Sequence, residues 1–176
     1  MASKVTSRLI VIDASIARSA GPENATHPTS KSCRDFLLSV LDVCHRAAFS
    51  KELKEEWREH QSGFARQWKT SMFARKKIES IDSKPNDKLR SLIQEIGKEN
   101  VRDAMLKDVH LVEAASSSDG IVASLDETVR NLFRMHAKSI ASIGATCWVN
   151  PTVAEEESVE WLQAGAPSES NRQLGQ

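Results

Sequence analysis

Near its start the chain reads RLIVID, from Arg8 to Asp13, and a second run of the same kind, IVASLD, extends from Ile121 to Asp126. An apolar run of this length that stops at a carboxylate is typical of a buried parallel strand whose carboxyl end opens into a ligand site. Because the carboxyl ends of parallel strands meet at one edge of a sheet, these strands can bring Asp13 and Asp126 together. The two runs therefore predict a parallel sheet with an acidic site at its edge.

The rest of the chain alternates strand-like and helix-like segments, which predicts an α/β fold, a three-layer α/β/α sandwich with a central parallel sheet. We expect one domain over residues 8–164, because 176 residues provide one substantial core but not two. The polar segment 165–176 predicts a disordered tail. Two more strands are predicted at 46–49 and 145–149, and helices at 33–44, 51–78 with a break near Gly63, 87–99, 101–116 with Asn100 as N-cap, 126–136 and 151–162.

Composition limits the function classes only mildly. Basic and acidic residues balance at 24 each, so any affinity for a polyanion must come from local charge. The three cysteines form no CxxC pair, which favours a reducing compartment over a disulfide framework. No apolar run is long enough to span a bilayer or to act as a secretory signal. We therefore expect a cytoplasmic protein that makes no contact with a membrane.

Helical phase selects two further acids. In the helix after Asn100, Asp108 falls within the arc of apolar residues, whereas Asp103 points away from it. In the helix after Ser50, Glu56 is the only one of four acids at the edge of the apolar stripe, and Glu55 points to solvent. An ionised carboxylate on a buried face is costly unless it is paired or coordinates a cation, so Asp108 in particular needs a functional explanation.

Each of these acids also has an ordinary structural explanation. Together, however, four carboxylates directed to one sheet edge would form an oxygen-rich site suited to Mg²⁺ or Mn²⁺. The ordinary alternatives are a strand-ending turn for Asp13, an N-cap for Asp126, an ion pair with Arg102 or Lys107 for Asp108, and a solvated helix position for Glu56.

The order of the acidic motifs resembles the PIN-domain family of metal-dependent nucleases, whose best-known bacterial members are toxins of toxin–antitoxin pairs. The resemblance extends from about Leu9 to Leu162. It rests on five motifs: Val11–Ser15 (VIDAS), Ser50–Trp57 (SKELKEEW), Asp108–Ala115 (DVHLVEAA), Ile121–Asp126 (IVASLD) and Val149–Pro151 (VNP).

The resemblance implies a PIN-like fold and an RNA-cleaving hydrolase that uses Mg²⁺ or Mn²⁺. It implies RNA as the substrate, and an antitoxin protein and a second copy of the chain as candidate partners. Ser15 and Ser124 resemble the small polar residues that hold the family's acids. The family's metal-binding, catalytic quartet corresponds here to Asp13, Glu56, Asp108 and Asp126. Glu52 and Glu55 compete for the second place, but Glu56 precedes an aromatic residue, as the family tends to have.

Residues 58–100 form a stretch that is longer than compact toxins of the family usually have, and we expect it to be a helical insert. The segment from Arg58 to Arg90 contains nine basic and four acidic residues. This composition suits either phosphate binding or a solvated helix pair. Arg75, Lys76 and Lys77 are the predicted RNA-binding residues. Trp68 and Phe73 could stack on bases, although core packing is the simpler role for both.

Two other function classes stay open. One is a catalytically inactive PIN-like module that binds RNA or acts as a scaffold. The other is a phosphatase or response-regulator-like domain. That class needs an aspartyl acceptor with a Thr or Ser and a distant Lys at set strand ends, and this chain offers poor candidates for them. The five histidines lack metal-ligand spacing, and His110 is expected on the helix surface or beside an acid rather than as a ligand.

Overall fold

The computed structural model describes residues 5–176 and contains one five-stranded, all-parallel sheet in the order β3-β2-β1-β4-β5. The strands are β1 Leu9–Ile12, β2 Arg46–Phe49, β3 Ile78–Ser80, β4 Ile121–Ala123 and β5 Cys147–Val149. The helices are α1 Ala14–Ser19, α2 Pro28–Asp42, α3 Lys51–His60, α4 Gly63–Ala74, α5 Asp87–Gln94, α6 Glu99–Ser116, α7 Glu127–Ala137, α8 Ala141–Gly144 and α9 Ser158–Gln163.

Helices cover both faces of this sheet, which confirms the predicted three-layer α/β/α architecture. By their contacts the helices divide into two groups, α1 to α4 with α9, and α5 to α8. From β1 the sheet continues through β2 to β3 on one side and through β4 to β5 on the other. The strand order therefore reverses between β1 and β4. In open parallel sheets, ligands bind outside the carboxyl ends of the strands at such a reversal.

The core is built around the strands that the apolar runs predicted. All four residues of β1 and all three of β4 are buried. Trp57 on α3 packs edge-on against Phe49, with ring centroids 5.1 Å apart, and its indole N–H donates to the carbonyl of Ile12 at 2.8 Å. Trp68 is also buried and donates to the Leu37 carbonyl. Trp68 therefore has the core role rather than the stacking role, whereas Phe73 is 75% exposed.

The predicted helical insert is partly wrong, because residues 58–100 include the edge strand β3 as well as helices. β3 pairs in parallel with β2, with Ala48 opposite Glu79. Its sequence, Ile-Glu-Ser, is short and half-exposed to exposed, so it lacks the apolar run of a central strand. The predicted N-cap at Asn100 is also wrong: Lys98 precedes α6, and the preceding helix α5 already ends at Gln94.

The predicted disordered tail is contradicted by the structure, which packs residues 165–176 against β5 and α8. Leu174 is fully buried, and its N–H donates to the carbonyl of Thr146 at 2.9 Å. Gln173 forms an antiparallel bridge with Cys147 of β5. A polar composition gave the wrong expectation because the segment buries a few side chains, among them Ala166, Arg172 and Leu174.

Arg172 belongs to a group of charged residues that we call the tail cluster: Glu127, Arg130, Glu156, Glu169 and Arg172. The Arg130 guanidinium donates to Glu127 at 3.1 Å, to Glu156, and to the Trp148 carbonyl at 2.8 Å. Arg172 donates to Glu169 at 2.7 Å and to the backbone carbonyl of Glu156. The predicted last helix over 151–162 is replaced here by a short 3₁₀ turn and α9, with Glu157 between them at φ 42°.

No helix in residues 5–176 combines the length and apolar character that crossing a membrane requires.

Candidate functional site

The four predicted acids line one pocket of about 180 Å³. Asp13 directly follows β1, Glu56 lies on α3, Asp108 lies on α6, and Asp126 follows β4 at the start of α7. The pocket therefore lies at the carboxyl edge of the sheet, between β1 and β4, where the strand order reverses. Strand ends and helical phase together predicted which side chains meet there.

Two serine hydroxyls hold Asp13. Ser124 donates to Asp13 Oδ2 at 2.8 Å and Ser15 donates to the same oxygen. Ser15 Oγ in turn accepts from the N–H of Leu125 at 3.2 Å, and Ser124 Oγ accepts from the N–H of Asp126 at 3.2 Å. The two hydroxyls thus connect the ends of β1 and β4, and Asp13 Oδ1 has no hydrogen bond within the part of the chain that the structure describes.

Asp126 has a structural task in addition to its place in the pocket. Its Oδ1 accepts from the N–H of Val129 at 2.8 Å, which makes it the N-cap of α7. The N-cap alternative is therefore confirmed, but it uses only one carboxylate oxygen. A side chain that caps a helix is held in one orientation, so the other oxygen of Asp126 is presented to the pocket in a fixed position.

Glu56 is held by a histidine on another helix. Nε2 of His110 lies 3.2 Å from Oε2 of Glu56, at an angle that fits an ion pair better than a hydrogen bond. His110 Nδ1 lies 3.1 Å from the carbonyl of Lys107, which can only accept. Both ring nitrogens therefore face acceptors, an arrangement that suits the protonated imidazolium. His110 is buried rather than on the helix surface, and the half-buried Glu56 has a partner rather than being surrounded by solvent alone.

The pKa values of this pair agree with that arrangement. Burial of Glu56 opposes its ionisation, but His110, together with Lys107 and His60, lowers the pKa of the carboxyl. Burial of His110 favours its neutral form, but Glu56, together with the Lys107 carbonyl and Asp108, raises the pKa of the imidazole. The contact between α3 and α6 contributes to both shifts.

Asp108 has no such partner within residues 5–176, since neither Arg102 nor Lys107 forms an ion pair with it. Burial, together with the nearby charges of Asp13 and Asp126, raises the pKa of Asp108 to about 6 against the opposing effect of Lys107 and His110. Asp108 is therefore an acid that the fold keeps partly buried among like charges. Such strain is typical of functional sites.

Three basic residues also line the pocket, and the sequence patterns did not select them. They are Arg18 on α1, His60 on α3 and Lys107 on α6. The only signal available was local: His60 follows Glu56 by one helical turn, and Lys107 immediately precedes Asp108. The pocket is thus an inner set of acids with cations around it.

The donor set fits a hard divalent cation in its chemistry. Carboxylate oxygens are the ligands that Mg²⁺ and Mn²⁺ prefer, and Asp13, Asp108 and Asp126 each keep at least one oxygen without a hydrogen bond in the described residues. Nowhere in residues 5–176, however, are three acidic, histidine or cysteine groups already close enough to hold a metal. Like charges repel, so a cation would have to draw these carboxylates together.

The predicted RNA-binding residues Arg75, Lys76 and Lys77 are not brought to this pocket. They immediately precede β3, so they lie at the amino edge of the parallel sheet, opposite the acids. The Lys77 ammonium donates to the carbonyls of Val40 at 3.0 Å, Leu41 at 2.6 Å and Val43. These carbonyls belong to the C-terminal end of α2, where the last carbonyl groups of a helix have no hydrogen-bond donor within the helix. Lys77 is a helix-capping residue, and burial together with Arg75 lowers its pKa.

Comparison with known proteins found no family model, curated protein or solved structure that matches the chain. Membership of the PIN-domain family therefore stays a prediction that rests on the motifs.

Proposed function

We propose that the protein is a metal-dependent ribonuclease that hydrolyses phosphodiester bonds of RNA with the acids of this pocket. The observation that carries the proposal is the meeting of four carboxylates from four separate elements in one pocket at the strand-order reversal. The order of the motifs along the chain, with its resemblance to PIN-domain nucleases, selects this activity among those an acidic pocket could support.

Asp13, Asp108 and Asp126 would hold the cation, with Glu56 as the fourth ligand once it exchanges its contact with His110. A divalent cation supplies Lewis acidity that activates water and offsets charge on the phosphate. Ser15 and Ser124 fix Asp13, and the cap of α7 fixes Asp126. His110 and Trp57 hold α3 against α6 and β1, which keeps Glu56 beside the pocket.

The test is cleavage of single-stranded RNA by the purified protein with Mg²⁺ or Mn²⁺, and its loss in EDTA. Asp126→Asn is the sharpest variant, because asparagine caps a helix about as well as aspartate and removes only the charge. We expect it to reduce cleavage by about 100-fold or more, and Asp13→Asn to do the same. Both variants should unfold at or above the wild-type temperature, since fewer like charges repel.

Asp103→Asn is the matched control. Asp103 lies on α6 with Asp108, but its side chain is 65% exposed and outside the pocket. The same loss of one charge there should leave cleavage unchanged. Cleavage that persists in EDTA, or an Asp103→Asn variant as impaired as Asp126→Asn, would contradict the proposal.

The second candidate is a catalytically inactive PIN-like module that binds RNA. The absence of three closely placed donors in residues 5–176 favours it. RNA binding by the wild-type protein without cleavage in either metal would support this candidate. A toxin role and an antitoxin partner stay predictions that follow from the resemblance alone.

A further inference from the structure

Two cationic side chains beside the acidic pocket, Arg18 and Lys107, contribute no ion pair or hydrogen bond to the fold within residues 5–176. Both side chains are exposed. Lys107 nevertheless lies close enough to Glu56 and Asp108 for its charge to favour ionisation of both. Two cations therefore stand beside a group of acids without pairing with them.

These cations approach the pocket from opposite layers of the sandwich. Arg18 is on α1, which packs with α2 and α3, whereas Lys107 is on α6, which packs with α5 and α7. His60, at the C-terminal end of α3, is a third group on the same rim and has only a 3.8 Å contact with Glu59. The acids thus lie between positive groups from both faces of the sheet.

The size of the pocket shows how a ligand can use this arrangement. At about 180 Å³ it is smaller than the roughly 300–1,000 Å³ of pockets that enclose a small molecule. A nucleotide cannot be enclosed in it. A polymer that reaches the acids must lie across the rim, where its charged groups meet the cations.

We propose that Arg18 and Lys107 bind phosphates of a single nucleic-acid strand on the two sides of the acidic pocket and thereby position one phosphodiester over it. This inference rests on the proposed ribonuclease function, which it deepens by assigning substrate contacts. It places the phosphate-binding surface at the carboxyl edge of the sheet rather than at Arg75, Lys76 and Lys77.

The experiment measures binding of a short fluorescein-labelled oligouridylate by anisotropy in Ca²⁺, at several salt concentrations, with the RNA checked for cleavage on a gel. The test variant is Arg18→Gln with Lys107→Gln. We expect roughly tenfold weaker binding at low salt, as for two exposed charge contacts. The slope of log K against log salt should flatten by about 1.4, because each phosphate contact on a single strand contributes about 0.7.

The matched control is Lys76→Gln with Lys138→Gln. Both lysines are exposed and lie at the other edge of the sheet, before β3 and after α7, so the same net charge is removed there. This control should bind like the wild type. Arg18→Lys with Lys107→Arg keeps both charges and should restore most of the affinity.

Three outcomes would overturn the inference: no binding by the wild type, an unchanged salt slope in the test variant, or equal losses in the test and control variants. These outcomes do not depend on cleavage. A protein that binds through Arg18 and Lys107 but cleaves nothing in Mg²⁺ or Mn²⁺ would retain the phosphate site and lose the ribonuclease proposal. A protein that cleaves RNA equally well after both residues are changed would retain the ribonuclease proposal and lose the phosphate site.

Discussion

The acidic pocket and the tail cluster are two groups of charged side chains that the fold treats in opposite ways. In the tail cluster Arg130 is 4% exposed, and each glutamate of the cluster contacts an arginine. Of the pocket's four acids, only Glu56 has an ion-pair partner within residues 5–176, His110. Paired, desolvated charges hold elements together, whereas unpaired acids cost free energy. The tail cluster thus contributes to the fold, whereas the acids of the pocket fit the ligand site that we propose.

The largest effect is expected from breaking the tail cluster at its centre. Arg130→Met leaves Glu156, whose side chain is 13% exposed, without its main partner. Removing one member of a buried ion pair should lower the free energy of unfolding by about 3–5 kcal/mol, measured by urea denaturation. Arg46→Met is the control, because Arg46 pairs with Glu79 on the surface. A loss no greater than the control's would show that the cluster contributes little.

Removing a charge from the pocket should have the opposite sign. The pKa of Asp108 is raised from 3.8 to about 6, so the folded protein disfavours the ionised form, and the penalty is present at pH above about 6. Asp108→Asn should therefore raise the free energy of unfolding at pH 7.5 by about 1–2 kcal/mol, after allowance for partial exposure. The advantage should decline as the pH falls from about 6 and vanish below about 4. Destabilisation at pH 7.5 would contradict the comparison.

A divalent cation should also stabilise the pocket. Mn²⁺ at ten times its dissociation constant would add about 1.4 kcal/mol by mass action, which for a chain of this size raises the melting temperature by roughly 3–5 °C. Differential scanning fluorimetry should show this shift in the wild type and lose it in Asp13→Asn. Arg172→Gln, which changes only the tail cluster, should melt at a lower temperature but keep the full shift. A shift that survives in Asp13→Asn would place the cation elsewhere.

The smallest effect is expected at the exposed margin of the tail cluster. The Glu169 side chain is 44% exposed and contacts Arg172 alone. Exposed ion pairs contribute about 0–1 kcal/mol, so Glu169→Gln should change the free energy of unfolding by less than 1 kcal/mol in urea. A larger loss would mean that the tail depends on its surface charges as strongly as on Arg130.

The central strands and the acids could be predicted because local sequence determines them. Buried parallel strands need continuous apolar runs, and the residue that ends each run falls at the carboxyl edge. Helical phase then placed Glu56 and Asp108 on inward-facing arcs. β3 could not be predicted in this way, since an edge strand of three half-exposed to exposed residues carries no apolar run.

Other outcomes depend on contacts between residues that are distant in sequence. Of the two places expected for His110, the structure selects the one beside an acid, Glu56. The expected disordered tail is wrong, and Arg172 of that tail reaches Glu156. Local charge density selected Lys77 for RNA, but the structure uses its ammonium to cap α2. Counting charges along a segment does not determine the edge of the sheet at which the segment lies.

The bond between Ser124 and Asp13 joins residues 111 positions apart, and it has a consequence for synthesis on the ribosome. A nascent chain that ends before β4 contains Asp13, Glu56 and Asp108 but neither Ser124 nor Asp126 at the capped start of α7. Pairings across such separations form slowly, because a long loop must close first. The four acids of the proposed ribonuclease site would therefore come together as a complete set only after residue 126 has left the exit tunnel.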